Sequence, residues 1–348
     1  MRRRMGALPM GDPRFNLQGS KDQGAVLEEI VGLIRVYKNG HVDRLPAVSD
    51  VPCTWAPEAN VTSRDVVINH STGVWARFYV PNKAQGRLPL LLYFHGGGFC
   101  VGSAAWSCYH EFLARLASRA GCLIMSVNYR LAPENRLPAA YEDGLAATRW
   151  VRQQASYGGS DEFNWWRTHC NFARVFLGGD SAGASIAHSV AAQLGSLGDP
   201  ETVLKPVCLR GVILIQPFFG GEARTESERN LVQASRSALS LTTSDCYWRM
   251  ALPLGCNRDH PWCNPLAKSA PRLEGLKLPP VLVCISEMDI LRDRNQEFCK
   301  ALRSAGKSVE QAMYAGVGHA FQVLHNYHMS QARTHEMLAH IKAFISSR

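Results

Sequence analysis

The sequence predicts an α/β protein built on a mostly parallel central sheet flanked by helices. Short, near-continuous apolar runs recur along the 348 residues, at Leu90 to Phe94, Leu123 to Val127, Val175 to Leu177, Gly211 to Gln216 and Val281 to Ile285. A strand apolar at almost every position is buried on both faces, the condition of a parallel strand covered by helices above and below. Segments of helical character alternate with these runs, and two of the runs end directly in glycine-rich turns, His95-Gly96-Gly97-Gly98 and Gly179-Asp180-Ser181-Ala182-Gly183.

In chain order, residues 1 to about 23 show no periodicity and read as loose. Gly24 to Tyr37 places Val26, Leu27, Ile30, Val31 and Ile34 at helix-like spacing, which predicts an amphipathic helix or a helix-to-strand entry. Val61 to Asn69 and Val74 to Tyr79 read as strands, the second alternating well, paired antiparallel at one edge of the sheet. Helices are expected at Glu111 to Ala120, Ala139 to Gln154, Ser185 to Leu194, Arg294 to Ala305 and His328 to Ser346, with a last strand at Val309 to Tyr314. One stretch breaks the alternation: on the order of 60 residues separate the strands at Gly211 and Val281, far beyond an ordinary connection. Its apolar residues, among them Leu239, Tyr247, Trp248 and Trp262, predict a helical cap insertion over 220–265. No internal repeat or low-complexity segment is apparent.

Composition narrows the function. A hydrophobic content of 46% is that of an ordinary globular chain. The net charge of +9 is scattered without a block of five or more like charges, which argues against nucleic acid as a partner. The 11 cysteines include no C-x-x-C pair, and several lie in apolar strands, so a reducing compartment and free thiols are expected. Met1-Arg2-Arg3-Arg4-Met5 resembles the start of a signal peptide, but no apolar stretch follows before Gly11-Asp12-Pro13-Arg14. With no apolar run long enough to cross a bilayer, a membrane role is not expected, and the cytoplasm, with the nucleus open, is the expected location.

The glycine-rich turns carry the chemistry. A serine between two glycines, at a tight turn from strand to helix, has the geometry of a nucleophile elbow, with Ser181 held above the sheet's end. Attack on an ester carbonyl places negative charge on its oxygen, and backbone N–H groups must already point there. The expected oxyanion donors are Gly96 and Gly97, joined by Ala182 just after the nucleophile. Each such donor is worth about 2.7–4 kcal/mol of barrier. A serine hydroxyl needs a base, and the base needs a carboxylate behind it. Of 12 histidines, His319 stands out in Gly316-Val317-Gly318-His319-Ala320-Phe321, where flanking glycines let the imidazole lean toward Ser181. His325, His328, His335 and His340 fit the face of the last helix or its approach and show no metal-ligand spacing, so no metal is expected. Asp289, after the strand ending at Ser286, is the preferred acid, with Glu287 its rival in the same loop.

These residues sit in stretches that resemble the plant class-I carboxylesterases of the hormone-sensitive-lipase branch of the α/β-hydrolases. The matching stretches are Tyr93 to Phe99, Asn128-Tyr129-Arg130-Leu131-Ala132-Pro133-Glu134, Leu137 to Asp143, Gly179 to Gly183 and Gly316 to Phe321. The resemblance implies an α/β-hydrolase core over 51–348, a cap shared between an N-terminal segment (1–50) and the insertion, a small-molecule ester substrate and no cofactor. More narrowly, Gln216 to Glu222 and Ser286 to Leu291 resemble the carboxylesterase 15 group, which implies catabolism of strigolactone-type butenolide hormones. The related gibberellin receptors carry an aliphatic residue where His319 stands, and the related hydroxyisoflavanone dehydratases sometimes carry threonine where Ser181 stands. A hormone-binding receptor and a dehydratase or cyclase are therefore the alternatives. The chain departs from many relatives at Asn128, where they have Asp, and at Glu287, where they have Gly. An apolar face on the N-terminal segment would permit a homodimer.

Overall fold

Eight strands form one sheet in a computed structural model, which describes residues 24–82, 86–156, 161–231 and 238–348. The sheet strands are β4 (Val61–Asn69), β5 (Val74–Pro81), β6 (Leu88–Phe94), β7 (Leu123–Asn128), β8 (Cys170–Asp180), β9 (Leu209–Ile215), β10 (Val281–Ser286) and β11 (Val309–Tyr314). Their order is β11-β10-β9-β8-β6-β7-β5-β4. From β6 onward every pairing among β6–β11 is parallel, while β5 runs antiparallel to both β7 and β4, the edge arrangement expected from sequence. The central strands are apolar on both faces because helices cover both. The helices are α1 (Ser107–Ala120), α2 (Ala139–Ser156), α3 (Asn164–Arg167), α4 (Ala182–Leu197), α5 (Pro200–Val203), α6 (Glu226–Asn230), α7 (Leu241–Ala251), α8 (Arg292–Ser304), α9 (Phe321–Leu324) and α10 (His328–Ser346). Phe112, Leu116, Leu338 and Ile341 of α1 and α10 pack with Leu91, Phe176 and Ile213 in one buried cluster. Helices α2 and α4 pack together, and α4 lies against β6, β8 and β9. Among the described residues no helix is long and apolar enough to cross a membrane.

The segment expected to begin as a helix at Gly24 is strand instead. β1 (Val26–Ile30) and β2 (Ile34–Tyr37) form an antiparallel hairpin, and β3 (Val42–Arg44) completes a three-stranded sheet. The apolar spacing fits either structure, but Gly32 at φ 80° makes the reversal, and β-branched Val26, Ile30, Ile34 and Val36 favour the extended backbone. The described residues up to Leu45 form one compact unit and those from Pro46 to Arg348 the other, so the division falls at 45/46 rather than at 50. Much of the segment read as an N-terminal cap, residues 1–23, lies outside the described residues.

The insertion between β9 and β10 carries α6 and α7, and the rest of its described residues are mostly turns. One buried ion pair ties it to α8. Arg294 of α8 donates through Nε to Glu228 Oε1 at 2.6 Å, and its Nη atoms donate to the carbonyls of Gly220, Gly221 and Ala223. Glu228 also accepts from the Thr225 backbone N–H, closing a capping box at the start of α6. Both side chains are under a tenth exposed, so losing one leaves an unpaired charge in low dielectric. Arg294→Leu is expected to lower unfolding free energy by about 3–5 kcal/mol in a urea titration. Adding Glu228→Leu should restore part of that loss, and a wild-type midpoint in the single variant would contradict it.

Candidate active site

The nucleophile elbow begins where β8 ends. Ser181 adopts φ 52° and ψ −121°, a backbone conformation costly for a residue with a Cβ. It is held there by its own amide, which donates to Ile215 O at 2.8 Å, and by its carbonyl, which accepts from Phe218 N at 3.1 Å. The turn closes because position 183 is glycine: a Cβ there would collide with the carbonyl oxygen of Phe94, on the strand that leads into His95-Gly96-Gly97-Gly98. The two glycine-rich turns are thus in direct backbone contact. Helix α4 starts at Ala182, so its positive end lies beneath the serine.

His319 Nε2 lies 2.9 Å from Ser181 Oγ, and His319 Nδ1 lies 2.7 Å from Asp289 Oδ2. The other carboxylate oxygen, Asp289 Oδ1, accepts from Leu291 N at 3.0 Å, which fixes the carboxylate's orientation. All three side chains are buried. Glu287 points elsewhere: its exposed side chain accepts from Gly316 N at 2.8 Å, tethering the start of the histidine loop. The structure therefore puts Asp289, not Glu287, against the imidazole. Among the described residues no group of His, Cys, Asp and Glu is arranged to hold a metal ion, and all 11 cysteines are free thiols.

A family profile described as α/β hydrolase fold matches residues 91–323. The chain is 47% identical to the probable carboxylesterase 6 of Arabidopsis thaliana, over 95% of this chain and 94% of that one. It is 35% identical to a 2-hydroxyisoflavanone dehydratase of Glycyrrhiza echinata, over 91% of this chain and 95% of that one. Among solved structures, a thermophilic carboxylesterase cloned from a metagenomic library superposes with a TM-score of 0.68 at 28% identity, covering 86% of this chain and 91% of that one. The chain belongs to the α/β-hydrolase fold family.

In this α/β hydrolase the oxyanion loop differs from the sequence expectation at one position. Gly96 is not a free donor: its N–H is taken by Tyr109 Oη at 2.8 Å and Asp180 Oδ1 at 3.1 Å. Among the described residues nothing accepts from the N–H groups of Gly97 and Gly98, while that of Ala182, as the first helical residue, has no intrahelical acceptor. The N–H groups left without an acceptor here are therefore those of Gly97, Gly98 and Ala182, one residue along from the expected set. Gly97 has φ 116°, and a Cβ there would collide with Val101 O. Gly98 faces the ring of Tyr247 from α7, so the insertion packs directly on the oxyanion loop.

Two further residues shape the site of this hydrolase, and the sequence reading gave neither a role there. Gln216, at the end of β9, accepts from Ala320 N at 2.7 Å and donates to Ser286 Oγ at 2.6 Å, tying the histidine loop to the strand that delivers Asp289. Asp180, the variable position of the serine motif, is fully buried. Its carboxylate accepts from Tyr93 Oη at 2.8 Å and Tyr109 Oη at 2.9 Å as well as from Gly96 N. Burial pushes its pKa up to about 6 against the opposing pull of these hydrogen bonds. Tyr93, two residues before His95, is the available sequence signal for a buried acceptor.

Burial alone would lower the pKa of His319, but the charge of Asp289 and its hydrogen bond outweigh it, and the net shift is upward from 6.5. A base works only unprotonated, so the acid limb of kcat/KM against pH should have a midpoint above 6.5, with the titration of Asp180 beginning below it. A pH profile on a neutral ester checks this, and a midpoint below 6.5 would contradict it.

Proposed function

We propose that this α/β hydrolase is a serine carboxylesterase that cleaves small carboxylic esters by two-step acyl transfer. The observation that carries the reading is the continuous chain Ser181 Oγ, His319 Nε2 and Nδ1, Asp289 Oδ2, with contacts of 2.9 and 2.7 Å. His319 takes the Ser181 proton as Oγ attacks the ester carbonyl. Asp289 accepts from Nδ1–H, selecting the tautomer with its lone pair on Nε2, and stabilises the imidazolium that forms. The N–H groups of Gly97, Gly98 and Ala182 receive the developing oxyanion. The alcohol leaves with the proton from His319, and a water, deprotonated by the same imidazole, releases the acid. Relatives and structural neighbours named as carboxylesterases support the ester-hydrolase assignment.

The finer proposal is a butenolide ester or enol ether of strigolactone type, supported only by the likeness of Gln216 to Glu222 and Ser286 to Leu291 to the carboxylesterase 15 group. A second reading, elimination on the same scaffold, is favoured by the relative named as a 2-hydroxyisoflavanone dehydratase. One assay separates them: turnover of p-nitrophenyl acetate and of a synthetic strigolactone by wild type and by Ser181→Ala. Hydrolysis of both, lost in the variant, is the expected result. Hydrolysis of the acetate alone removes the butenolide proposal. Dehydration of a β-hydroxy ketone that survives Ser181→Ala would favour the second reading.

A further inference from the structure

A cavity lies along the flank of α4. Its volume is about 390 Å³, and its walls come from Tyr141 of α2, His188 and Ala192 of α4, Phe219, and the segment returning from the insertion to β10, including Trp262 and Leu273. None of Ser181, Asp289, His319 or the oxyanion glycines lines it. The lining is mostly apolar and stiffened by proline at positions 138, 261, 265 and 271.

Several polar groups in the wall are already engaged. Ser185 Oγ donates to Phe218 O, Tyr141 Oη donates to Trp262 O, and Ser189 Oγ accepts from Gln193 Nε2. His188 is 9% exposed and makes no hydrogen bond among the described residues. The edge-on rings of Phe219 and Phe298 flank it, with centroids at 5.7 and 4.9 Å. Burial lowers its pKa to about 4, so the imidazole is neutral at ordinary pH. A hydroxyl brought into the cavity would supply the hydrogen-bond partner that the imidazole lacks within the protein. The wall holds no lysine or arginine, and its one carboxylate, Glu142, disfavours an anion.

We propose that this cavity is a second ligand site, for a small, uncharged, largely apolar molecule carrying one hydroxyl, a phenol or an alcohol, whose O–H donates to the free ring nitrogen of His188. Its occupant is distinct from the ester held at Ser181, and its existence does not depend on the reaction proposed there. The site adjoins the segment that holds the nucleophile, since Phe218 accepts from Ser185 and donates to Ser181 O.

Equilibrium dialysis of 2-naphthol and of naphthalene against the full chain tests the proposal. Saturable binding of one 2-naphthol is expected. His188→Leu should weaken 2-naphthol about tenfold, the scale of one neutral hydrogen bond, and leave naphthalene unchanged. Ala192→Phe, which fills the cavity without touching His188 chemistry, should abolish binding of both. Absence of saturable binding overturns the proposal, as does wild-type affinity for 2-naphthol in either variant, since a molecule held at the triad would bind Ala192→Phe normally.

Discussion

Ser181→Ala is expected to lower kcat on p-nitrophenyl acetate by on the order of 10⁶-fold, the scale seen when a triad nucleophile is removed from a serine protease. The expectation follows from the hydrogen-bonded chain, because alanine leaves His319 with nothing to activate. What remains is the oxyanion donor set and substrate binding, together worth about 10³–10⁴ over water in such enzymes. KM should change little, since the hydroxyl contributes to the transition state far more than to ester binding. Asp289→Asn should cost about 10⁴-fold by a separate route. An amide there presents N–H as readily as oxygen to Nδ1, and the imidazole then places its proton on Nε2, facing Ser181 when it should face away. Steady-state kinetics on both variants, with circular dichroism to show intact folding, checks the pair. Turnover within tenfold of wild type in Ser181→Ala would remove the serine mechanism.

Asp180→Ala carries the second large effect, on folding and catalysis together. The carboxylate gathers donors from β6 (Tyr93), α1 (Tyr109) and the oxyanion loop (Gly96) onto the residue next to the nucleophile. Its removal strands two buried hydroxyl donors, Tyr93 and Tyr109, each costing about 1–3 kcal/mol if nothing replaces the acceptor, while the Gly96 N–H keeps Tyr109 Oη. Relaxation recovers part of this, and a net loss of about 3–5 kcal/mol in unfolding free energy is expected. The loop also loses the anchor that sets where Gly97 and Gly98 aim. Misplacing an oxyanion donor costs on the order of 10²–10³ in kcat. Asp180→Asn separates the two effects. It keeps the shape but replaces one acceptor oxygen with a donor that faces donors, so kcat should fall at least tenfold in a protein that still folds. Rescue of neither kcat nor stability by Asp180→Glu is expected, because the longer side chain does not fit the buried site. Wild-type kcat in Asp180→Asn would show that Asp180 has no positioning role.

Much of this arrangement was legible in the sequence because it rests on local backbone demands. The apolar runs at Leu90, Leu123, Val175, Gly211 and Val281 each became a strand of the parallel sheet, since double-sided burial leaves no other pattern. Ser181 and His319 stood out because their glycine-rich turns have a local steric cause. The rest depended on directions that a sequence does not encode. Glu287 and Asp289 share one loop, and the choice between them is made by backbone bonds. Glu287 N donates to Tyr314 O and Met288 N to Val317 O, continuing the pairing with the β11 side and turning Glu287 outward. Asp289 N then donates to Ser286 O, and the turn brings the next carboxylate inward. Gly96 was assigned to the oxyanion because a glycine run does not reveal which N–H faces the substrate. Asp180 decides that, from 84 positions further along the chain. The hairpin at Val26–Tyr37 was misread because its apolar spacing suits a helix, and only Gly32 at the reversal argues otherwise. In the insertion the apolar content was visible, but its anchoring by Arg294 and Glu228 was not, since the pair joins residues 66 apart.

Mass spectrometry of the protein after reaction with diethyl p-nitrophenyl phosphate tests the central claim most directly, that Ser181 is the group His319 activates. One diethylphosphoryl group on Ser181 is predicted, accumulating in step with loss of ester turnover and absent in His319→Ala. A modification on another residue, or full turnover by protein modified to completion, would contradict it.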